Sequence, residues 1–224
     1  MQSSAIVVLS GGQDSTTCLF WAMESYNQVI ALSFDYGQKH RMELTQAHKI
    51  CESAGVEHHI LSLPLLNELS ANSLTRAEIA VDTSETGGER EISANLPSSF
   101  VEGRNLLFIN YAAIFAKGRS VKDIVVGVSE ADYSGYPDCR ADFISSLQKT
   151  LRLAMEYDFV IETPLMMLTK AEVWQLAEQL DIVELIMHET VTCYQGIAGS
   201  GCGECIACKL RKKGYDEYLR LKRG

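Results

Sequence analysis

The chain lacks any apolar run near the ~18 residues that a membrane-spanning helix needs, which argues against a bilayer span in a sequence 46% hydrophobic and 22% charged. A secretory signal is missing as well. The N-terminus enters Ala5-Ile6-Val7-Val8-Leu9 almost at once, without a basic segment or a small-residue cleavage site, so a cytoplasmic setting is expected. Positive charge is in short supply, with 20 Lys and Arg against 29 Asp and Glu and a net charge of −9. Phosphate-backbone contacts need a basic face, so a small-molecule partner is expected rather than a stable nucleic-acid one. The exception is the C-terminal run Lys209, Arg211, Lys212, Lys213, Arg220, Lys222 and Arg223, which reads either as a basic patch for RNA or as helix cations that favour the C-terminal end. No internal repeat is present.

At 224 residues the chain can bury a full core. Ala5–Leu9, Val29–Phe34, His58–Leu63, Asp123–Val128 and Phe159–Thr163 read as strands. Helices are predicted near Cys18–Met23, over Met42–Ala54 ended by Gly55, over Arg104–Lys117 closed by Gly118, and over Phe143–Met155. This alternation predicts an α/β fold, a parallel twisted sheet with helices on both faces, because parallel neighbours require crossover connections. Ligands then collect at the carboxyl ends of the strands. The expected organisation is a nucleotide-binding domain over 1–180 and a metal-binding, helical region over 181–224. The polar stretch around 71–100 breaks the alternation and reads as a lid-like insert.

Ser10-Gly11-Gly12-Gln13-Asp14-Ser15 joins the first strand to the first helix and predicts a phosphate cradle. A tight Gly-Gly turn leaves backbone N–H groups free, and the helix N-terminus adds unpaired donors and a positive dipole end. The loop lacks the lysine of a Walker A motif. Asp14 suits a Mg²⁺ that bridges to phosphate. On spacing alone, a plain capped turn with Ser10 and Asp14 as caps is the other reading. Thr169-Lys170-Ala171-Glu172 is a capping-box pattern that starts a helix reaching about Leu180. Lys170 in its first turn opposes the dipole, which a contact with phosphate or carboxylate would explain; a solvated lysine is the simpler account.

Cys193, Cys202, Cys205 and Cys208 lie within sixteen residues beside Gly199, Gly201 and Gly203, a density that indicates metal in a reducing compartment. Four thiolates can close a structural tetrahedral Zn²⁺ site. An iron–sulfur cluster is the competitor, although the Cys-Pro continuation of ferredoxin motifs is missing. Cys18 and Cys51 read as packing residues, and Cys139 as either packing or a nucleophile. His58 and His59 point to opposite faces of a strand and cannot ligate together.

The string SGGQDS resembles the fingerprint of the PP-loop ATP pyrophosphatases, which cut ATP between the α and β phosphates. The longer SGGQDSTTCL, Tyr36-Gly37-Gln38, Tyr136-Pro137-Asp138-Cys139-Arg140 and the four cysteines together resemble the 7-cyano-7-deazaguanine synthases over nearly the whole chain. The resemblance implies an adenine nucleotide alpha hydrolase-like fold and an ATP-dependent C–N ligase. Its substrates would be 7-carboxy-7-deazaguanine and ammonium, converted through adenylated intermediates in queuosine biosynthesis. It implies ATP, Mg²⁺ and structural Zn²⁺ as cofactors, and a nucleotide-binding stretch of Leu9, Ser10, Gly11, Gly12, Gln13, Asp14, Ser15, Thr16, Thr17, Cys18 and Leu19. Asp14, Lys170 and Arg104 are the expected catalytic residues, holding Mg²⁺ and stabilising phosphate charge. Tyr133, Tyr136, Asp138 and Arg140 are the expected substrate contacts, by stacking on the bicycle, accepting from its N–H groups and pairing with its carboxylate. The family usually carries proline where Glu102 stands in Val101-Glu102-Gly103-Arg104-Asn105, so the turn geometry there is the point to inspect. No glutaminase segment is read, so free ammonium is the expected nitrogen source. A homodimer completed by the C-terminal region is expected. Two alternatives stay open: a PP-loop tRNA-modifying enzyme of the thiolation or lysidine type, and a non-catalytic ATP-binding regulator.

Overall fold

A computed structural model describes residues 3–38, 41–70, 72–76, 79, 98–131 and 136–223. Five strands, β1 (Ser4–Val8), β2 (Gln28–Asp35), β3 (Glu57–Ser62), β4 (Asp123–Val126) and β5 (Val160–Glu162), form one sheet in the order β3-β2-β1-β4-β5. All four pairings are parallel, with Ile6 opposite Ile30 on one side and Ile124 on the other. A parallel sheet needs cover on both faces, and the side-chain alternation of the central strand provides for it. Ala5 and Val7 pack with Leu19, Ala47 and Ile50 of helices α1 (Gln13–Ser25) and α2 (Met42–Ala54). Ile6 packs on the opposite face with Ile109, Ile144 and Leu147 of α4 (Arg104–Gly118) and α5 (Ala141–Met155).

Several boundaries move for identifiable reasons. The strand expected over Asp123–Val128 ends at Val126, and Gly127 leaves the sheet where a Cβ would stand 3.0 Å from the backbone nitrogen of Ser15. Only a glycine lets β4 pass that close to the start of α1. A short helix α3 (Pro64–Leu69), opened by a proline that already lacks the unneeded N–H, was not foreseen. The capping box at Thr169 forms as expected, with the Thr169 hydroxyl accepting from Glu172 N–H and the Glu172 carboxylate accepting from Thr169 N–H, and opens α6 (Lys170–Gln179).

The C-terminal elements α7 (Val183–Glu189) and α8 (Ile206–Arg223) share one apolar cluster with α6, in which Ala171, Trp174, Ala177, Ile186 and Tyr218 are buried. The boundary expected at 180/181 therefore falls inside a continuous core. Helix α8 approaches the start of α6 at Gly214, where a Cβ would collide with Lys170. Most of the expected 71–100 insert lies outside the described residues. Its two ends meet, since Ser73 N–H donates to the Ser98 carbonyl at 2.9 Å. Among the described residues no helix is long and apolar enough to cross a membrane.

Candidate active site

Strand order reverses beside β1: β2 and β3 lie to one side, while β4 and β5 lie to the other. Such a switch point opens a crevice at the carboxyl ends of the strands. A cavity of about 280 Å³ occupies it, lined by Ser10, Asp14 and Ser15 after β1, by Tyr36 after β2 and by Gly127 and Ser129 after β4.

The Ser10–Ser15 loop is built by a small set of local contacts. Gly11 takes φ +84°, and a Cβ there would lie 2.5 Å from the carbonyl oxygen of Glu43, so both backbone geometry and space require glycine. Ser15 Oγ accepts from Ser10 N–H at 3.1 Å and lies 2.9 Å from Ser10 Oγ, closing the turn on itself. Gly12 begins α1 with no side-chain cap. The alternative reading of a plain capped turn lacks its caps, because neither Ser10 nor Asp14 caps the helix. The N–H groups of Asp14 and Ser15 have no acceptor among the described residues, as expected of the first turn of a helix facing an anion site. Asp14 Oδ1 and Thr16 Oγ1 are buried without hydrogen-bond partners. The orphaned Asp14 carboxylate oxygen calls for a cation or a donor to satisfy it, and Asp14 would fit a Mg²⁺.

The expected nucleotide-binding stretch divides in two. Leu9, Ser10, Gly12, Gln13, Asp14 and Ser15 line the cavity. Cys18 and Leu19 instead pack in the apolar cluster beneath the loop, where burial pushes the Cys18 thiol well above its ordinary value, and the Thr17 hydroxyl donates to the Gln13 carbonyl.

The structure brings Lys170 to Asp14, with Nζ 2.6 Å from Oδ2. Arg104 lines the same cavity. Burial works against its charge, but Tyr36, Tyr136 and Asp138 outweigh that and hold the guanidinium above its usual value. Glu43, also lining the cavity, is pushed up to about 7 by burial, with Arg104 opposing the shift. Sequence reasoning missed Glu43 because it reads as an ordinary first-turn acid of α2.

The expected substrate residues separate. Tyr136 lines the cavity, its hydroxyl 2.7 Å from Ser99 Oγ and 3.2 Å from Tyr194 Oη. Asp138 is buried and accepts from Asn105 N–H at 3.2 Å, so it fixes the first turn of α4 beside Arg104. Arg140 does not line the cavity. It is exposed at the start of α5, one residue past a 3-10 turn (Pro137–Cys139) that points it away. Tyr133 lies outside the described residues. Cys139 lines the cavity, its sulfur accepting from Asn105 Nδ2 at 3.4 Å. The turn at Glu102 is made without proline: Arg104 N–H donates to the Val101 carbonyl, Gly103 takes φ +73°, and Glu102 accepts from Ser70 Oγ at 3.1 Å.

The ligand atoms of Cys193, Cys202, Cys205 and Cys208 all lie within 4.8 Å of one another. Sulfurs about 2.3 Å from a shared tetrahedral ion stand about 3.8 Å apart, so the group fits one metal. Gly201 carries φ +69°, and a Cβ on it would collide with Cys208 Sγ. Backbone N–H groups of Glu204 and Cys205 donate to Cys202 Sγ at 3.4 and 3.3 Å and orient it within the group. Of the C-terminal cations, Arg211 is buried, Lys212 pairs with Asp216 at 2.7 Å and Lys222 pairs with Glu178, while Lys213, Arg220 and Arg223 are exposed.

A family model described as queuosine biosynthesis protein QueC matches residues 4–219. The chain is 57% identical over 220 residues to a 7-cyano-7-deazaguanine synthase of Clostridium acetobutylicum, covering 98% of this chain and 96% of that one. It is 53% identical over 222 residues to the enzyme of the same name from Lysinibacillus sphaericus, covering 99% and 98%. A crystal structure of a 4-thiouridine synthetase–RNA complex with bound ATP superposes with TM-score 0.53 at 13% identity, over 98% of this chain and 51% of that one, and shares the fold.

Proposed function

Since this chain belongs to the QueC family of queuosine biosynthesis proteins, we propose that it is a 7-cyano-7-deazaguanine synthase, an ATP-dependent ligase acting on 7-carboxy-7-deazaguanine and ammonium. The observation that carries the reading is the meeting of two chemically distinct sets of groups in one cavity. One set is the unpaired N–H groups of the Ser10–Ser15 loop with Asp14 and Lys170; the other is Arg104 with Tyr36, Phe108 and Tyr136.

In the first half-reaction a carboxylate oxygen of the substrate attacks the α phosphorus of ATP, and the bond to pyrophosphate breaks. The loop amides and Lys170 stabilise the charge that builds on the departing pyrophosphate. Asp14 would hold a Mg²⁺, which would supply Lewis-acid stabilisation of the developing phosphate charge. Ammonia then attacks the acyl carbon, loses a proton, and displaces AMP to leave the amide. A second ATP adenylates the amide oxygen, and loss of AMP and the remaining N–H protons leaves the nitrile. Arg104 and the surrounding aromatics hold the planar bicycle and its carboxylate toward the loop.

Zinc is the metal of the four-cysteine group in this reading, supported by its glycine-rich turns and its closure by four sulfurs without an open position. Iron content with absorbance near 400 nm would replace it by a cluster. The reading also places the enzyme in the cytoplasm as a homodimer; the exposed Ile197 and Leu221 of the C-terminal region support the latter, and light scattering tests it. ATP- and ammonium-dependent formation of the nitrile from 7-carboxy-7-deazaguanine, followed by mass spectrometry, tests the activity.

A further inference from the structure

A strap between α7 and the metal group grips the Ser10–Ser15 loop and lines the cavity beside it through Val191 and Thr192. Val191 N–H donates to the Gly11 carbonyl at 2.9 Å, and Thr192 Oγ1 accepts from Gln13 N–H at 3.2 Å. These two contacts hold both sides of the Gly-Gly turn. The next residue is Cys193, the first of the four clustered cysteines.

Arg211 holds that strap in place. It lies one turn past Cys208 on α8 and is only 5% exposed. Its Nη1 donates to Thr190 Oγ1 at 3.0 Å and to Thr192 Oγ1 at 3.1 Å. Its Nη2 donates to the carbonyls of Ile186 at 2.6 Å and Met187 at 3.4 Å. All four terminal N–H groups of the guanidinium are thereby used, and its plane lies 5.6 Å from the Trp174 ring. None of these four acceptors is a carboxylate. A buried cation is costly to desolvate, here with Asp14 and Cys208 facing its charge, and a fork that matches four acceptors at once is a geometry lysine cannot reproduce.

We propose that Arg211 is a positioning residue for ATP binding, acting through Thr192, whose hydroxyl fixes the Gln13 N–H at the start of α1. Gln13 N–H is consumed by Thr192, while the N–H groups of Asp14 and Ser15, two residues that line the cavity, have no acceptor among the described residues. Arg211 and the cysteine group brace the same strap from both ends of the Thr190–Cys193 segment. The inference rests on the reading that the Ser10–Ser15 loop binds ATP.

Thr192→Val keeps the shape of the side chain and removes the acceptor. Binding of Mg-ATP to the full-length protein by calorimetry, with steady-state KM values for each substrate and metal content by mass spectrometry, tests the relay. The expected result for Thr192→Val is a Kd and KM for Mg-ATP raised about 5- to 10-fold, with unchanged KM for 7-carboxy-7-deazaguanine and unchanged metal stoichiometry. Thr192→Ser restores wild-type Kd, and Arg211→Lys weakens Mg-ATP binding at least as much as Thr192→Val. A folded Thr192→Val protein that binds Mg-ATP as tightly as the wild type overturns the relay. Failure of the wild type itself to bind Mg-ATP overturns the reading on which it rests.

Discussion

Lys170 Nζ stands 2.6 Å from Asp14 Oδ2, joining the first turn of α6 to the first turn of α1 across 156 residues of sequence. The lysine that a Walker A loop would carry within itself is here brought in from another helix. Gly214 makes this possible by admitting α8 against the Lys170 backbone. The two side chains are 14% and 28% exposed, shielded enough for their charges to matter to phosphate chemistry.

Replacing Lys170 by Met is expected to lower kcat/KM by about 10²- to 10³-fold, the scale of losing one group that stabilises transition-state charge. It also leaves Asp14 without its partner, at a cost of about 1–3 kcal/mol. Pyrophosphate release and a denaturant titration report the two effects separately. Asp14→Ala is expected to cost a comparable factor in turnover, and full turnover in that variant would remove its assigned metal role.

Gly11→Ala forces a side chain into a positive-φ position and against the Glu43 carbonyl. The expected destabilisation is at least about 2 kcal/mol, read as a lower denaturant midpoint. Gly127→Ala presses on the Ser15 backbone instead and is expected to raise KM for ATP more than it lowers stability.

The Glu43 carboxyl supplies a pH signature. Its folded-state value, about 7 against an ordinary 4.5, means that its stabilising share is complete below pH 4.5 and is lost as pH rises to 7 and beyond. Glu43→Gln is therefore expected to raise the stability of the free protein at pH 8, by about 1–3 kcal/mol, and to leave it nearly unchanged at pH 4.5. Urea midpoints at the two pH values check this.

Removal of the metal is expected to unravel the turn that four sulfurs and few apolar contacts hold together. The protein is expected to contain one zinc per chain, and Cys205→Ser to lose it with a marked fall in Tm. Retention of full metal content by that variant would contradict four-sulfur ligation.

Much of the fold was legible in the sequence, because β1 and β2 carry buried β-branched residues, α2 and α4 end at glycines, and α6 begins at a capping box. The phosphate loop and the four cysteines were legible because their chemistry is local and closely spaced. What was not legible depends on tertiary approach. Nothing local marks Glu43 as a cavity residue, Gly127 as the point where β4 passes α1, or Thr192 and Arg211 as the brace of the loop. Arg140 shows the converse: it adjoins a motif in sequence, yet after the 3-10 turn at Pro137–Cys139 it stands exposed, a placement that the motif alone does not reveal.

The most direct test incubates the purified protein with 7-carboxy-7-deazaguanine, ammonium and Mg-ATP and follows pyrophosphate, AMP and deazaguanine products together. The account predicts one AMP and one pyrophosphate for each amide formed, and two of each for each nitrile. Binding of ATP without formation of either deazaguanine product would contradict it.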